Sequence, residues 1–203
     1  MKTPAARPLL LVVSAPSGAG KTTLGTRLLA EFPDMVRAVT CTTRAPRPGE
    51  VNGRDYVFLS DAEFKRWVNA NAFIEHARVH GASYGTPRLA VEQPLRSGRD
   101  VLLIIDVQGA ERIRQLCAPD GVVRRHAFAD VFIMPPDGAT LRQRLVTRGQ
   151  DNPNTIACRL KNAGGEMARS ALFKHRIVND RLEDAVARLR DIVLAAKNME
   201  REA

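Results

Sequence analysis

The chain has 203 residues, a length suited to one compact domain with small insertions. Its 44% hydrophobic and 26% charged residues are those of an ordinary globular protein, and no apolar run approaches the roughly 18–20 residues of a membrane-spanning helix, which argues against a helical membrane protein. The net charge of +9, carried mostly by arginine, fits nucleic acid, a membrane surface or phosphorylated small molecules without choosing among them.

Cys41, Cys117 and Cys158 lack metal-type spacing, and an odd count suits a reducing compartment. The apolar run Leu9–Val13, behind Lys2 and Arg7, is too short for a signal-peptide core, so a cytoplasmic location is the expectation. Arg124 and Arg125 form the densest basic cluster, too short for a polybasic arm.

In chain order, Arg7–Ser14 reads as a fully buried strand ended by Ala15–Gly20. Lys21–Phe32 has helical spacing at Leu24, Leu28 and Leu29, and Pro33 closes it. Val36–Cys41 reads as a second strand, Thr42–Asn52 as a loop and Val51–Leu59 as an antiparallel strand. Ser60 and Glu63 have capping-box spacing for a helix through Phe64 and Trp67. After the glycine-bounded Gly81–Gly85 comes a helix near Pro87–Arg96, then a buried strand at Asp100–Asp106 and a helix at Gly109–Cys117. Ala129–Met134 is a further buried strand, stopped by Pro135 and Pro136. Gly138–Thr147 and Thr155–Arg169 are helical and arginine-rich, Arg176–Asn179 is a short strand, and Arg181–Met199 is a closing amphipathic helix. Strands alternating with helices predict an α/β fold with a parallel sheet covered on both faces, interrupted by a small mixed segment near Thr40–Thr86.

The segment Ala15, Pro16, Ser17, Gly18, Ala19, Gly20, Lys21, Thr22, Thr23 follows a strand and opens a helix, the context a phosphate-binding P-loop requires. Its glycines let backbone N–H groups turn inward around phosphates, and the helix N-terminus adds partial positive charge. Lys21 reaches the β- and γ-phosphates, and the Thr22 hydroxyl ligates Mg²⁺. Ala15 stands where the strict motif has Gly, a small change at a compact turn. Nucleotide binding follows; the acceptor stays open at this point.

The run Thr42-Thr43-Arg44-Ala45-Pro46-Arg47-Pro48-Gly49-Glu50-Val51-Asn52-Gly53-Arg54-Asp55-Tyr56-Val57-Phe58 resembles the signature of bacterial-type guanylate kinases. Phe73-Ile74-Glu75, Tyr84-Gly85-Thr86, Asp106-Val107-Gln108-Gly109, Arg144, Arg148-Gly149, Arg159 and Val178-Asn179-Asp180 follow at family-like spacing, so the resemblance covers nearly the whole chain. It implies a P-loop core at 7–39, 87–138 and 171–203, a GMP-binding insertion at 40–86 and a helical lid at 139–170. It assigns Glu75 to guanine N1–H and the exocyclic amine, with Asp106 nearby for the amine and Thr40 and Thr86 as hydroxyls near the base. Adenine would set a lone pair against that carboxylate, and sites built to hydrogen-bond their substrate reject analogues by ~10⁴-fold or more.

By the same resemblance Arg44, Arg47, Tyr56 and Tyr84 hold the GMP phosphate, which carries close to two negative charges. Arg144, Arg148 and Arg159 become lid arginines that neutralise the migrating group, and Asn179 lies near the adenine. With Lys21 and Arg44 these make the catalytic set. The reaction implied is γ-phosphoryl transfer from ATP to GMP or dGMP with Mg²⁺. The acceptor is already an oxyanion, so no general base is needed, and His76, His80, His126 and His175 read as structural or solvated. One departure is Ile104, where the family usually has an acid two residues before Asp106; a single carboxylate must then serve where two normally act. Lys174-His175 likewise replaces a more usual acidic-aromatic pair and reads as surface drift.

Three other readings compete. Another nucleoside monophosphate or sugar-phosphate kinase shares the core, but Glu75 with Thr86 speaks for guanine. A non-catalytic scaffolding module of this type has an eroded P-loop, whereas Lys21, Thr22 and the lid arginines remain here. A nucleic-acid binder would show a basic stripe interleaved with aromatics, and only ten aromatics exist in the chain. No specific nucleic acid or membrane partner is expected, and homo-oligomerisation is left open.

Overall fold

The computed structural model describes residues 7–79, 81–117, 126–147, 149 and 153–199. In chain order its elements are β1 (Leu9–Ser14), α1 (Lys21–Glu31), β2 (Val36–Arg37), β3 (Cys41–Thr42), β4 (Val57–Phe58), α2 (Asp61–Asn69), β5 (Phe73–Val79) and β6 (Ala82–Pro87). There follow α3 (Arg88–Arg96), β7 (Val101–Ile104), α4 (Val107–Cys117), β8 (Ala127–Met134), α5 (Gly138–Thr147), α6 (Pro153–Ala168), a 3₁₀ turn (Arg169–Leu172), β9 (His175–Val178) and α7 (Leu182–Met199). Among the described residues, no helix is long and apolar enough to cross a membrane.

β1 is buried along its whole length, which requires apolar neighbours on both faces. It lies at the centre of a five-stranded sheet, order β2-β7-β1-β8-β9, in which every pairing is parallel. Because successive side chains point to opposite faces, Leu9, Leu11 and Val13 pack with Leu24 and Leu28 of α1 and Leu189 and Val193 of α7. Leu10 and Val12 pack on the other face with Val91 and Leu95 of α3, Ile113 of α4 and Phe132 of β8. The α/β class with a doubly covered parallel sheet is as the alternating pattern implies.

A second sheet, order β4-β3-β6-β5, stands beside the carboxyl edge of the first. The structure differs here from the sequence reading in three ways. Val36–Cys41 is not one strand: β2 pairs with β7 in the main sheet, whereas β3 pairs with β6 in the small one, so the chain changes sheets at residues 38–40. The expected antiparallel strand at Val51–Leu59 shrinks to β4, which runs parallel to β3 with Cys41 opposite Val57. Asp55 Oδ2 accepts the Val51 N–H at 2.9 Å and Asn52 Oδ1 accepts the Phe58 N–H at 3.0 Å, and these side-chain bonds fold residues 51–56 into turns. The β5–β6 hairpin is new; a register shift between Phe73 and Glu75 breaks the period-2 alternation that would have announced it.

The capping box at α2 is as expected: Ser60 Oγ accepts the Glu63 N–H and Glu63 Oε2 accepts the Ser60 N–H. Lys174 is exposed, and only its backbone is engaged: its N–H donates to Asp130 Oδ1 at 2.8 Å, and Arg114 Nε donates to Asp130 Oδ2 at 2.7 Å. Asp130 is only 3% exposed, so this ion pair ties α4 and the start of β9 to β8. Removing one partner of a buried pair costs about 3–5 kcal/mol, because the other charge stays buried. Arg114→Ala is therefore expected to lower the urea midpoint far more than Asp130→Asn, as measured by equilibrium unfolding.

Candidate functional site

The carboxyl edge of the main sheet, the small sheet and the two helices α5 and α6 enclose a cleft of about 560 Å³. At its floor is the loop 15–20. Gly18 (φ +92°) and Gly20 (φ +100°) lie in the left-handed region, which side-chain-bearing residues rarely adopt. A Cβ on Gly20 would also fall 2.3 Å from Asn179 Nδ2, which donates to the Ala19 carbonyl at 2.8 Å. Asn179 is buried behind the loop and sustains its shape. α1 has no side-chain cap and no acid in its first turn, so its leading N–H groups stay available to an anion. Ala15, Pro16, Ser17, Gly18, Gly20, Lys21, Thr22 and Thr23 all border the cleft, and the Lys21 ammonium donates to the Ala15 carbonyl.

At the far wall sits Glu75 of β5, 4% exposed. Thr86 of β6 donates its hydroxyl to Glu75 Oε1, so both fall in one buried cluster with Thr40, itself buried at the crossing between the sheets. Burial raises the Glu75 carboxyl to about 7; the Asp106 charge pushes the same way, against the hydrogen bonds from Thr86. Asp106 stands at the head of α4, where its Oδ1 accepts the N–H groups of Gln108 at 2.7 Å and Gly109 at 3.2 Å. Its other oxygen makes no hydrogen bond among the described residues.

Between floor and far wall lies a cationic loop. Arg44 Nη2 bonds Glu50 Oε1 at 2.9 Å, and the guanidinium lies 5.4 Å from the Tyr56 ring centre and 5.8 Å from that of Phe58. Glu50 Oε2 accepts the Arg47 N–H at 2.7 Å. Burial would raise the Glu50 carboxyl, but the Arg44 and Arg47 hydrogen bonds outweigh it and hold it below the usual range. Tyr56 and Tyr84 meet edge to face at 6.1 Å. Glu50 thus buckles the loop, holding the Arg44 guanidinium and the Arg47 backbone together.

Above the floor, Leu141 and Leu145 of α5 rest against Gly18, with which a Cβ would collide at 3.0–3.1 Å. Arg144 Nη2 donates to the Asn179 carbonyl at 3.0 Å, while its buried Nη1 has no partner. Arg159 of α6 is buried rather than part of a solvated face, and donates to Ser17 Oγ. Arg148, with His80, Arg124 and Arg125, lies outside the described residues. Glu166 of α6, unremarked in the sequence, also borders the cleft; burial raises its carboxyl, the Lys21 charge opposing. Only its seven-residue spacing from Arg159, which puts both on one helix face, could have signalled it. Ile104 packs against α1, where a Cβ on Gly25 would fall 2.5 Å from its Cδ1. None of the described histidines borders the cleft; His76 packs against Phe64 and Phe73.

A phosphate loop between the first strand and first helix of a parallel sheet, facing a second sheet with a buried acid and covered by arginine-bearing helices, defines a nucleoside monophosphate kinase. Residues 7–196 match the Guanylate kinase family, and the chain belongs to that family; with the curated guanylate kinases that follow as its relatives, it is an ATP:GMP phosphotransferase. It is 42% identical over 191 residues to the guanylate kinase of Clostridium perfringens (strain SM101 / Type A), covering 94% of this chain and 85% of the relative. To that of Ralstonia nicotianae it is 46% identical over 189 residues, 93% of this chain and 81% of the relative. The crystal structure of guanylate kinase from Anaplasma phagocytophilum superposes with a TM-score of 0.76 at 33% identity, over 95% of this chain and 87% of that one. A gluconokinase from Sinorhizobium meliloti 1021 shares the fold alone, at 16% identity, a TM-score of 0.52 and coverage of 98% and 99%.

The raised Glu75 carboxyl has a consequence for stability. A group whose folded pKa exceeds its unfolded value stabilises the fold at low pH, and that contribution is lost as pH rises through the folded value, here about 7. Without ligand, Glu75→Gln is therefore expected to be more stable than the parent at pH 8, by on the order of 1–3 kcal/mol, and to lose that advantage at about pH 4, below the ordinary carboxyl value of 4.5. Thermal melts of both proteins at the two pH values measure it.

Proposed function

We propose that this ATP:GMP phosphotransferase works by in-line transfer of the γ-phosphoryl group between two bound phosphate chains, giving ADP and GDP, with arginines rather than a general base providing the chemistry. The observation that carries this reading is the polarity of the cleft: the phosphate loop and Lys21 at one end, the buried Glu75 and half-buried Asp106 at the other, and Arg47 between them with Glu50, to which Arg44 is bonded.

In this reading residues 40–86 are the acceptor-binding insertion, 139–170 the lid, and 7–39, 87–138 and 171–203 the core. Glu75, ionised, accepts guanine N1–H and the exocyclic amine, and the free Asp106 oxygen takes the amine's second proton. Thr40 or Thr86 then donates to O6; for Thr86 this means leaving Glu75 Oε1. Arg44, Arg47, Tyr56 and Tyr84 grip the acceptor phosphate, and Glu50 keeps Arg44 in place while guanidinium donors stay free for oxygen. dGMP is a further acceptor, because these contacts read base and phosphate and none reads the 2′-hydroxyl.

On the donor side the loop 15–23 cradles the β- and γ-phosphates, Asn179 sustains its shape beside the adenine, and Arg144, Arg148 and Arg159 neutralise charge on the migrating group. The partnerless Nη1 of Arg144 is the kind of buried donor a phosphate oxygen satisfies. For Mg²⁺ the residues present fit: Thr22, next to Lys21, offers a hydroxyl at the border of the cleft. No group of three or more acidic, His or Cys side chains able to hold a metal occurs among the described residues, which suits an ion carried mainly on the triphosphate. Mg²⁺ bound there neutralises phosphate charge during transfer. The surplus positive charge of the chain then serves two polyanions inside a cytoplasmic enzyme, and non-specific DNA binding stays at the micromolar level or weaker, on the order of ordinary electrostatic contacts.

A coupled assay with GMP, AMP and dTMP at equal concentration tests the acceptor: GMP is expected to turn over fastest, and faster turnover of AMP would refute the assignment. Lys21→Ala is expected to lower kcat by roughly 10²-fold or more with GMP affinity by calorimetry nearly unchanged; intact turnover would reject the donor site. Glu50→Gln is expected to raise the KM for GMP about tenfold while the KM for ATP holds, because Arg44 and Arg47 lose their common anchor.

A further inference from the structure

Gly109 is the third residue of α4, and its backbone has an ordinary negative φ, so no left-handed conformation demands glycine there. Glycine is also the weakest helix former after proline. The reason for it lies across the gap to the small sheet. A Cβ at this position would lie 2.6 Å from Glu75 Oε2, 3.0 Å from Glu75 Cδ and 3.2 Å from Ile105 Cδ1. The first is shorter than real Cβ contacts show, so something must shift, and the other two are tighter than ordinary van der Waals contact.

The same residue therefore serves both carboxylates of the far wall. Its N–H donates to Asp106 Oδ1 at 3.2 Å, and its bare Cα leaves the slot into which the Glu75 carboxylate fits. Thr86 holds Oε1 from the opposite side, so the carboxylate is placed between a hydroxyl and an empty helix position. We propose that Gly109 is a specificity-determining position: the missing side chain sets where Glu75 presents its two oxygens, and hence guanine recognition. This rests on the reading of Glu75 as the base reader.

The element that yields to a methyl group is the far end of a flexible glutamate rather than backbone. Gly109→Ala should thus fold normally, its helix even gaining propensity, while the carboxylate is pushed out of register with the purine edge. A displacement near 1 Å at a positioning contact is worth on the order of 10²-fold in rate or affinity. The cost falls on the acceptor side only, since no residue of α4 lines the cleft that holds the P-loop.

The experiment compares Gly109→Ala, Glu75→Gln, Glu75→Asp and the Gly109→Ala/Glu75→Asp double variant, with GMP, IMP (which lacks the exocyclic amine) and ATP. Expected for Gly109→Ala are a KM for GMP raised about 30- to 100-fold, a reduced GMP-to-IMP preference, a KM for ATP within about twofold, and an unchanged or higher Tm. The aspartate carboxylate is withdrawn by one methylene, so adding Gly109→Ala to Glu75→Asp is expected to cost no more than about threefold, a strong departure from additivity. If Glu75→Gln loses guanine preference while Gly109→Ala keeps the parent's KM for GMP, the slot is overturned and the base reader stands. If neither variant changes GMP recognition, the Glu75 reading falls and the slot with it. A Gly109→Ala protein with lowered Tm and lowered kcat but unaltered base preference would show a merely structural glycine and also overturn the proposal.

Discussion

A carboxylate taken out of water needs either a cation beside it or a hydrogen-bond donor for each lone pair it exposes. Among the described residues Glu75 has no cation beside it; it has the Thr86 hydroxyl and backbone, an acidic neighbour and a helix position without a side chain. Left alone, such a group prefers to hold a proton, which is what its position near neutrality expresses. A ligand presenting two adjacent N–H donors relieves this strain in a way water at a 4% exposed site cannot. Much of the architecture around it follows: the chain must change sheets at residues 38–40, a hairpin with a register shift must carry Glu75 to Thr86, and α4 must begin with Asp106 and a glycine.

The two ends of the cleft are built on opposite electrostatic principles, and the elements that form them come from different sheets. The floor is made of backbone: a loop in left-handed turns and an uncapped helix start, with fixed partial charges that need no desolvation of a side chain. The middle is made of arginines, each restrained by something other than the ligand, Arg44 by Glu50 and two aromatic rings, Arg144 by the Asn179 carbonyl. Restraint of this kind lowers the ordering entropy that long side chains lose when they engage a phosphate. Asn179 links the floor to α5, since its amide supports the loop and its carbonyl receives Arg144.

The main sheet was legible in the sequence because its signals are local and strong. Leu9–Ser14 is an unbroken apolar run, the glycine-rich loop follows at once, and Ser60 with Glu63 declares a helix start. The small sheet was not, because its strands are two residues long or interrupted, and their pairing depends on side-chain bonds such as Asp55 to Val51 that carry no periodicity. The candidate site divides the same way. Lys21, Glu75 and Arg44 could be named from motif and resemblance, whereas Glu50, Glu166 and Gly109 matter through neighbours distant in sequence or through an atom that is missing. Spacing along one chain does not encode a contact between β5 and α4.

Ile104 ends β7 with an aliphatic side chain nested on Gly25 and packed against the core shared by α1 and α7. The carboxyl end of this strand is therefore held to the helix behind the phosphate loop by hydrocarbon contact, and any side chain at residue 25 would have to wedge the two apart.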